Sequence, residues 1–112
     1  MDRDHSDAAS LARELLPRLR RWDSASWSVP AAQPGGVRET RAEVAAAVLQ
    51  RLADAGADAE GRPRRPVPLL ADVNLADQLT VMVDDILRTG DPAALRTAAT
   101  ELAALRAALG YR

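Results

Sequence analysis

The sequence predicts an all-α fold: a compact four-helix bundle with helices near 6–22, 41–55, 75–89 and 92–109. Two observations carry the prediction. Leu, Val and Ala recur at spacings of three and four in four separate stretches, the mark of a helix with one apolar side. The composition also favours helix: Ala, Leu, Arg and Glu abound, while Phe is absent and there are two Trp and one Tyr. At 112 residues the chain makes one domain, large enough to bury a core. Residues 1–5 read as a disordered tail and 6–112 as a single helical domain.

In the first helix Ala8, Leu11, Leu15, Leu19 and Trp22 share a face, with Leu16 beside them. Pro17 removes one backbone hydrogen bond, but it falls on the wet side among Arg13, Glu14 and Arg21. A bend there wraps the helix around the core; the alternative is two short helices meeting at Leu16.

The connection 23–39 holds Pro30, Pro34, Gly35 and Gly36, with Ser24, Ser26 and Ser28. It is long for a structureless link, so it is read as tied down or functional. Trp27 is the candidate tie. It serves either as a hydrophobic plug over the first two helices or as a partner-binding anchor.

Thr40 and Glu43 form a capping box at the start of the second helix. Val44, Ala45, Val48, Leu49, Leu52 and Ala55 share its face, and Gly56 is read as its end. Between 57 and 71, Pro63, Pro66 and Pro68 forbid helix and favour an extended crossover. Val67, Leu69 and Leu70 are expected to pin that crossover onto the bundle.

The third helix is the one around which the chain is organised. Leu75, Leu79, Met82, Val83, Ile86 and Leu87 fall within an arc of roughly 140°, wide enough to touch two or more neighbours. Asn74 is read as its N-cap and Gly90 as its C-terminal stop. Asp91 caps the fourth helix and Pro92 takes its first position. Leu95, Ala98, Leu102, Leu105 and Leu109 line that helix at heptad spacing. The third and fourth helices are expected to form an antiparallel hairpin through this tight turn. The back of the fourth is a stripe of small residues, Ala93, Thr97, Thr100, Ala104 and Ala108. The stripe is either plain exposed surface or a close-packed contact, to the first helix or to another copy of the chain.

The search for chemistry is mostly negative. With no Cys there is no disulfide framework, thiolate site or cysteine nucleophile. The sole His is His5, in the expected tail. The serines lack a base, and the Gly35-Gly36 pair is no phosphate loop without a Lys. Stretches 58–61 and 72–77 miss the ligand spacing of a calcium loop. Asp77 and Asp84 share a helix face, but a di-metal site needs His and Glu from facing helices. No catalytic, cofactor-binding or metal-binding residue is expected, and the protein is read as non-enzymatic.

All 15 basic residues are Arg, which with abundant Ala, Gly and Pro looks like the codon bias of a GC-rich bacterial genome. The formal net charge of −1 argues against a protein that coats nucleic acid. The polar, acidic start is not a secretory signal and no 18-residue apolar window exists, so a cytoplasmic protein with no membrane partner is expected. The one positive signal is Arg62, Arg64 and Arg65 on the Pro-stiffened loop, able to meet phosphates or an acidic partner, or simply solvated. A helix–turn–helix from the last two helices fails, because Pro92, Ala93 and Ala94 offer base edges no side-chain donors.

The expected function is therefore a small cytosolic interaction or adaptor module. Trp27, Arg62, Arg64 and Arg65 are its candidate partner-binding residues, and the back of the fourth helix is a candidate homodimer face. The alternative is a regulator touching nucleic acid through loop 62–65. A small-molecule-binding or enzymatic bundle is a further, weaker reading.

Overall fold

Three of the helices start where a side chain takes up the backbone donors that the first turn leaves unpaired. Thr40 Oγ1 accepts the Glu43 amide at 3.1 Å and Glu43 Oε1 accepts the Thr40 amide at 2.9 Å. This reciprocal cap opens α3, Arg41–Ala59. Asp91 Oδ2 accepts the Ala94 amide at 3.0 Å at the head of α5, Pro92–Ala108. Asp23 does the same for Ser26 at 2.9 Å, opening a four-residue helix, α2, Ser24–Trp27. That donated bond, reinforced by the Ser26 hydroxyl, holds the Asp23 carboxyl below its ordinary pKa. The other two helices are α1, Arg3–Leu19, and α4, Leu75–Thr89.

The computed structural model describes residues 3–32 and 39–111. Among them the fold is all-helical, and the only β-type contact is an isolated bridge between Pro30 and Thr40. The radius of gyration is 13.4 Å, matching the value of about 13 Å for a compact chain of this length. Met1 and Asp2 of the expected tail lie outside the described residues, as do Pro34, Gly35 and Gly36 of the first connection.

The predicted apolar faces are the core. Leu15, Leu19, Val48, Leu49, Leu52, Leu79, Val83, Leu95, Leu102 and Leu105 are at most 1% exposed. Complete burial of each such side chain contributes about 1.5–3 kcal/mol before chain entropy is subtracted. The main packing pairs are α3 with α5, α1 with α5, α3 with α4, and α1 with α4.

Directions follow from specific contacts. Arg51 pairs with Glu101, so α3 and α5 are antiparallel once Asp91 and Ala93 are seen beside Asp58 at the other end. Arg106 meets Glu14 at 3.2 Å and Trp22 meets Tyr111, so α1 and α5 run the same way. Arg20 meets Asp77 at 3.0 Å, placing the end of α1 at the start of α4. Gly56 of α3 and Ile86 of α4 border one groove near the ends of both helices, so these two are parallel. The Pro-rich segment between them is the return path that parallel neighbours need.

Five expectations are corrected. First, α1 begins at Arg3, so Arg3–His5 are helical; it runs unbroken through the exposed Pro17 and stops at Leu19, leaving Trp22 beyond it. Second, α3 continues through Gly56 to Ala59. A lone glycine weakens a helix without ending it, whereas Gly61 at φ 66° provides the left-handed stop, with the Arg62 amide on the Ala57 carbonyl at 2.8 Å. Third, Asn74 is not a side-chain cap. Its backbone is already helical (φ −92°, ψ −5°) because a 3-10 turn, Asp72–Asn74, feeds straight into α4, and a cap needs an extended backbone. Fourth, α4 and α5 share the tight turn at Gly90 but touch each other far less than each touches α1 and α3. They face each other across the core rather than pairing as a hairpin, because the wide apolar arc of α4 is filled from both sides. Fifth, of the residues expected to pin the Pro-rich segment only Val67 is partly buried; Leu69 and Leu70 are 63% and 59% exposed.

Among the described residues no helix is long and apolar enough to cross a membrane.

Candidate partner-binding surface

The Pro-rich segment, here called the strap (residues 62–70), is held by polar side chains rather than by its leucines. Gln50 of α3 accepts the Val67 amide at 2.8 Å and donates to the Arg65 carbonyl at 3.0 Å. Gln78 of α4 donates to the Pro68 carbonyl at 2.9 Å. Beneath the strap lies a groove of about 350 Å³, floored by Leu52, Gly56, Met82 and Ile86 and walled by Pro66. Arg65 and Asp85 border it.

The three strap arginines have different fates. Arg64 makes a two-point contact with Asp58, Nε to Oδ1 at 3.0 Å and Nη2 to Oδ2 at 2.7 Å. That hydrogen-bonded pair holds the Asp58 carboxyl below, and the Arg64 guanidinium above, its ordinary pKa. Arg62 meets Glu60 at 3.1 Å. Arg65 has no side-chain partner among the described residues, and on the neighbouring outer side of α4 the same holds for Asp84.

Beside these charges is apolar surface that the fold leaves wet. Leu69, Leu70, Val73 and Val81 are 63%, 59%, 45% and 64% exposed, four of the five large hydrophobic residues with such exposure among those described. Val73, Asp77 and Val81 are spaced by four along the turn and helix, so they fall on one side. Gln78 borders that side and holds Pro68, the residue before Leu69. The sequence reading passed over Gln50, Gln78 and Val81, and weighed Asp84 with Asp77 as a di-metal pair. Val81 carried a signal: it is an apolar residue set between Asp77 and Asp84 on the polar side of α4.

The remaining candidates lie elsewhere. Trp27 is fully buried, its ring edge-on to Trp22 at 4.9 Å, so it presents nothing at the surface. Trp22 in turn donates from Nε1 to the Tyr111 hydroxyl at 3.2 Å and lies under the Arg41 guanidinium at 4.7 Å. These three rings, with Arg18 over Tyr111 at 5.0 Å, close the end of the core beside the Asp72–Asn74 turn. On the back of α5, Ala93, Thr100 and Ala104 are exposed, while Thr97 and Ala108 are partly covered. Among the described residues no group of three or more His, Asp or Glu is placed to hold a metal ion.

Fold and surface together define a small all-helical domain with a polar-stapled strap and a wet apolar side. No family model, curated protein or solved structure matches the chain.

Proposed function

We propose that the protein is a small, non-enzymatic helical interaction module. Its four long helices act as a bundle that presents the strap and the outer side of α4 to a protein partner. The observation that supports this most is the exposure of Leu69, Leu70, Val73 and Val81, with Val73 and Val81 one above the other and Leu69 following the Pro68 that Gln78 holds. Covering each of the more exposed three is worth on the order of 1–2 kcal/mol, so together they supply the apolar centre of a modest interface. Arg65 and Asp84 provide a polar border of the kind that sets orientation and specificity. The strap itself is stapled in place, so little ordering entropy opposes docking.

The nucleic-acid alternative draws less support. Phosphate binding scales with the number of free cations, and in the strap Asp58 and Glu60 already hold Arg64 and Arg62. Arg65 alone remains.

Affinity capture from the source cells tests the reading. The wild-type chain and a Leu70→Asp/Val81→Asp variant are immobilised in parallel, and circular dichroism establishes that both are folded. Proteins retained by the first and missing from the second support an interface on this side; two identical capture profiles remove it.

A further inference from the structure

The groove beneath the strap is kept open by the residues that build it. On the α3 side its floor is made of small residues, Ala53, Gly56 and Ala57, which the helical period places on one face. Glycine is the weakest helix former after proline, and a Cβ placed on Gly56 meets nothing within 4 Å. The space above it is therefore left free at a cost to the helix. Leu52, Met82 and Ile86 complete an apolar bed. The strap is prevented from sinking onto that bed. Its prolines stiffen the wall and bring no amide donors to it. Gln50 holds the strap at Arg65 and Val67, and Gln78 holds it at Pro68. The volume of about 350 Å³ falls at the small end of the roughly 300–1,000 Å³ usual for small-ligand sites.

Three charged residues border this groove: Arg62, Arg65 and Asp85. Two of them are held within the chain, Arg62 by Glu60 and Asp85 by Arg88, each at 3.1 Å. Arg65 is exposed and has no side-chain partner among the described residues. An apolar bed with one spare guanidinium at its edge is the complement of a molecule with an apolar body and a single carboxylate. The floor and the proline wall take the body out of water, and the planar fork of Arg65 accepts the carboxylate at two points. A neutral ligand would leave Arg65 unused, and a cationic one would be repelled by it. We infer that the groove is a binding site for a small amphipathic carboxylate of the medium-chain fatty acid class. This goes beyond the interaction-module reading, whose exposed residues Leu69, Leu70, Val73 and Val81 lie outside the groove.

Methyl NMR of the full chain tests this, with decanoate as the probe and decanol and decylamine as its neutral and cationic counterparts. Met82 is one of two methionines, so its methyl signal is readily assigned. Decanoate is expected to shift the Met82 and Ile86 methyls and to saturate below about 1 mM, while the Leu70 and Val81 methyls stay in place. Decanol should bind about tenfold more weakly, and decylamine more weakly still. Arg65→Ala is expected to weaken decanoate about tenfold and to leave decanol unchanged, a split that a structural role for Arg65 would not produce. Gly56→Leu should fill the floor and abolish binding of both, with circular dichroism checking that the helices remain. If that variant loses helix, Gly56→Ala carries the same test with a smaller loss. No saturable shift at Met82 and Ile86 overturns the inference. So does a shift shared equally by Leu70 and Val81, equal binding of decanoate and decylamine, or full binding by a folded Gly56→Leu chain. Partner capture reads a different surface, so failure here leaves the interaction-module reading standing.

Discussion

Gln50 and Val67 are joined as two strands would be: the Gln50 side-chain oxygen accepts the Val67 amide at 2.8 Å, and its nitrogen donates to the Arg65 carbonyl and to Asp54, each at 3.0 Å. One amide side chain thus satisfies two backbone groups of a segment that has no helix or sheet of its own. Replacing Gln50 with Ala deletes both bonds and leaves the part-buried Val67 amide and the exposed Arg65 carbonyl to find water. The cost is expected at about 1–2 kcal/mol, felt in the strap before the core. Amide hydrogen exchange reads this: the Val67 amide should exchange about tenfold faster or more, while Leu102 in the centre of α5 keeps its protection. An unchanged Val67 rate would mean that the strap is fixed by something other than Gln50.

Two helix starts that each carry a capping-type residue, Thr40 and Asn74, should respond differently to its loss. Thr40→Ala removes the acceptor of the Glu43 amide and is expected to lower stability by about 1 kcal/mol in a urea titration. Asn74→Ala removes no capping bond, since the Asn74 side chain makes none. Its midpoint should stay close to that of the wild type. Equal losses at the two sites would contradict the 3-10 entry into α4.

That contrast shows what was legible in the sequence. Thr40 with Glu43, and Asp91 with Ala94, interact within three residues, so the sequence displays both partners together. The faces of α4 and α5 are legible for the same reason: Leu79 and Val83, or Leu102 and Leu105, are set by helical period alone. The strap is different. Its path depends on Gln50 and Gln78, polar residues 17 and 10 positions away from their strap partners, which look like solvated side chains until the fold brings them in. Arg62, Arg64 and Arg65 were visible as a basic cluster, but their neutralisation by Glu60 and Asp58 depends on the turn at Gly61. Trp27 is buried because Trp22 and Tyr111, from opposite ends of the chain, close over the same core. No local pattern encodes that closure.

Gly56 and Gly90 make a second contrasting pair. Gly56 lies inside α3 with ordinary helical torsions, and a Cβ built there meets nothing within 4 Å. Gly56→Ala is therefore expected to stabilise the protein by about 0.5–1 kcal/mol, by reducing the freedom of the unfolded chain. Gly90 sits at φ 70°, where its amide bonds the Ile86 carbonyl at 3.0 Å to close α4. Gly90→Ala places a side chain in the left-handed region, and a loss of about 1–2 kcal/mol is expected although space is open around it. Thermal unfolding should move Tm up for the first and down for the second. A fall for Gly56→Ala would show that α3 ends where the sequence first suggested.

The Asp58–Arg64 contact adds a pH dependence whose direction is fixed. The guanidinium beside Asp58 holds its carboxyl below the ordinary carboxylate value of about 3.9. The folded pKa is therefore lower than the unfolded one. The contribution of the pair is fully present above the unfolded value and is lost as pH falls through the folded pKa. Both side chains are more than half exposed, so solvent screens the pair and its effect belongs to the strap rather than to global stability. Carbon-detected NMR titration of the Asp58 carboxyl is expected to show a midpoint below the ordinary value, and Arg64→Ala should return it there. Asp58→Asn should speed amide exchange in the strap near neutral pH, and the difference from wild type should vanish at a pH where Asp58 is protonated. A midpoint at or above the ordinary value in the wild-type chain would mean that Arg64 does not hold Asp58 in solution, and the spare cations on the strap would then number two rather than one.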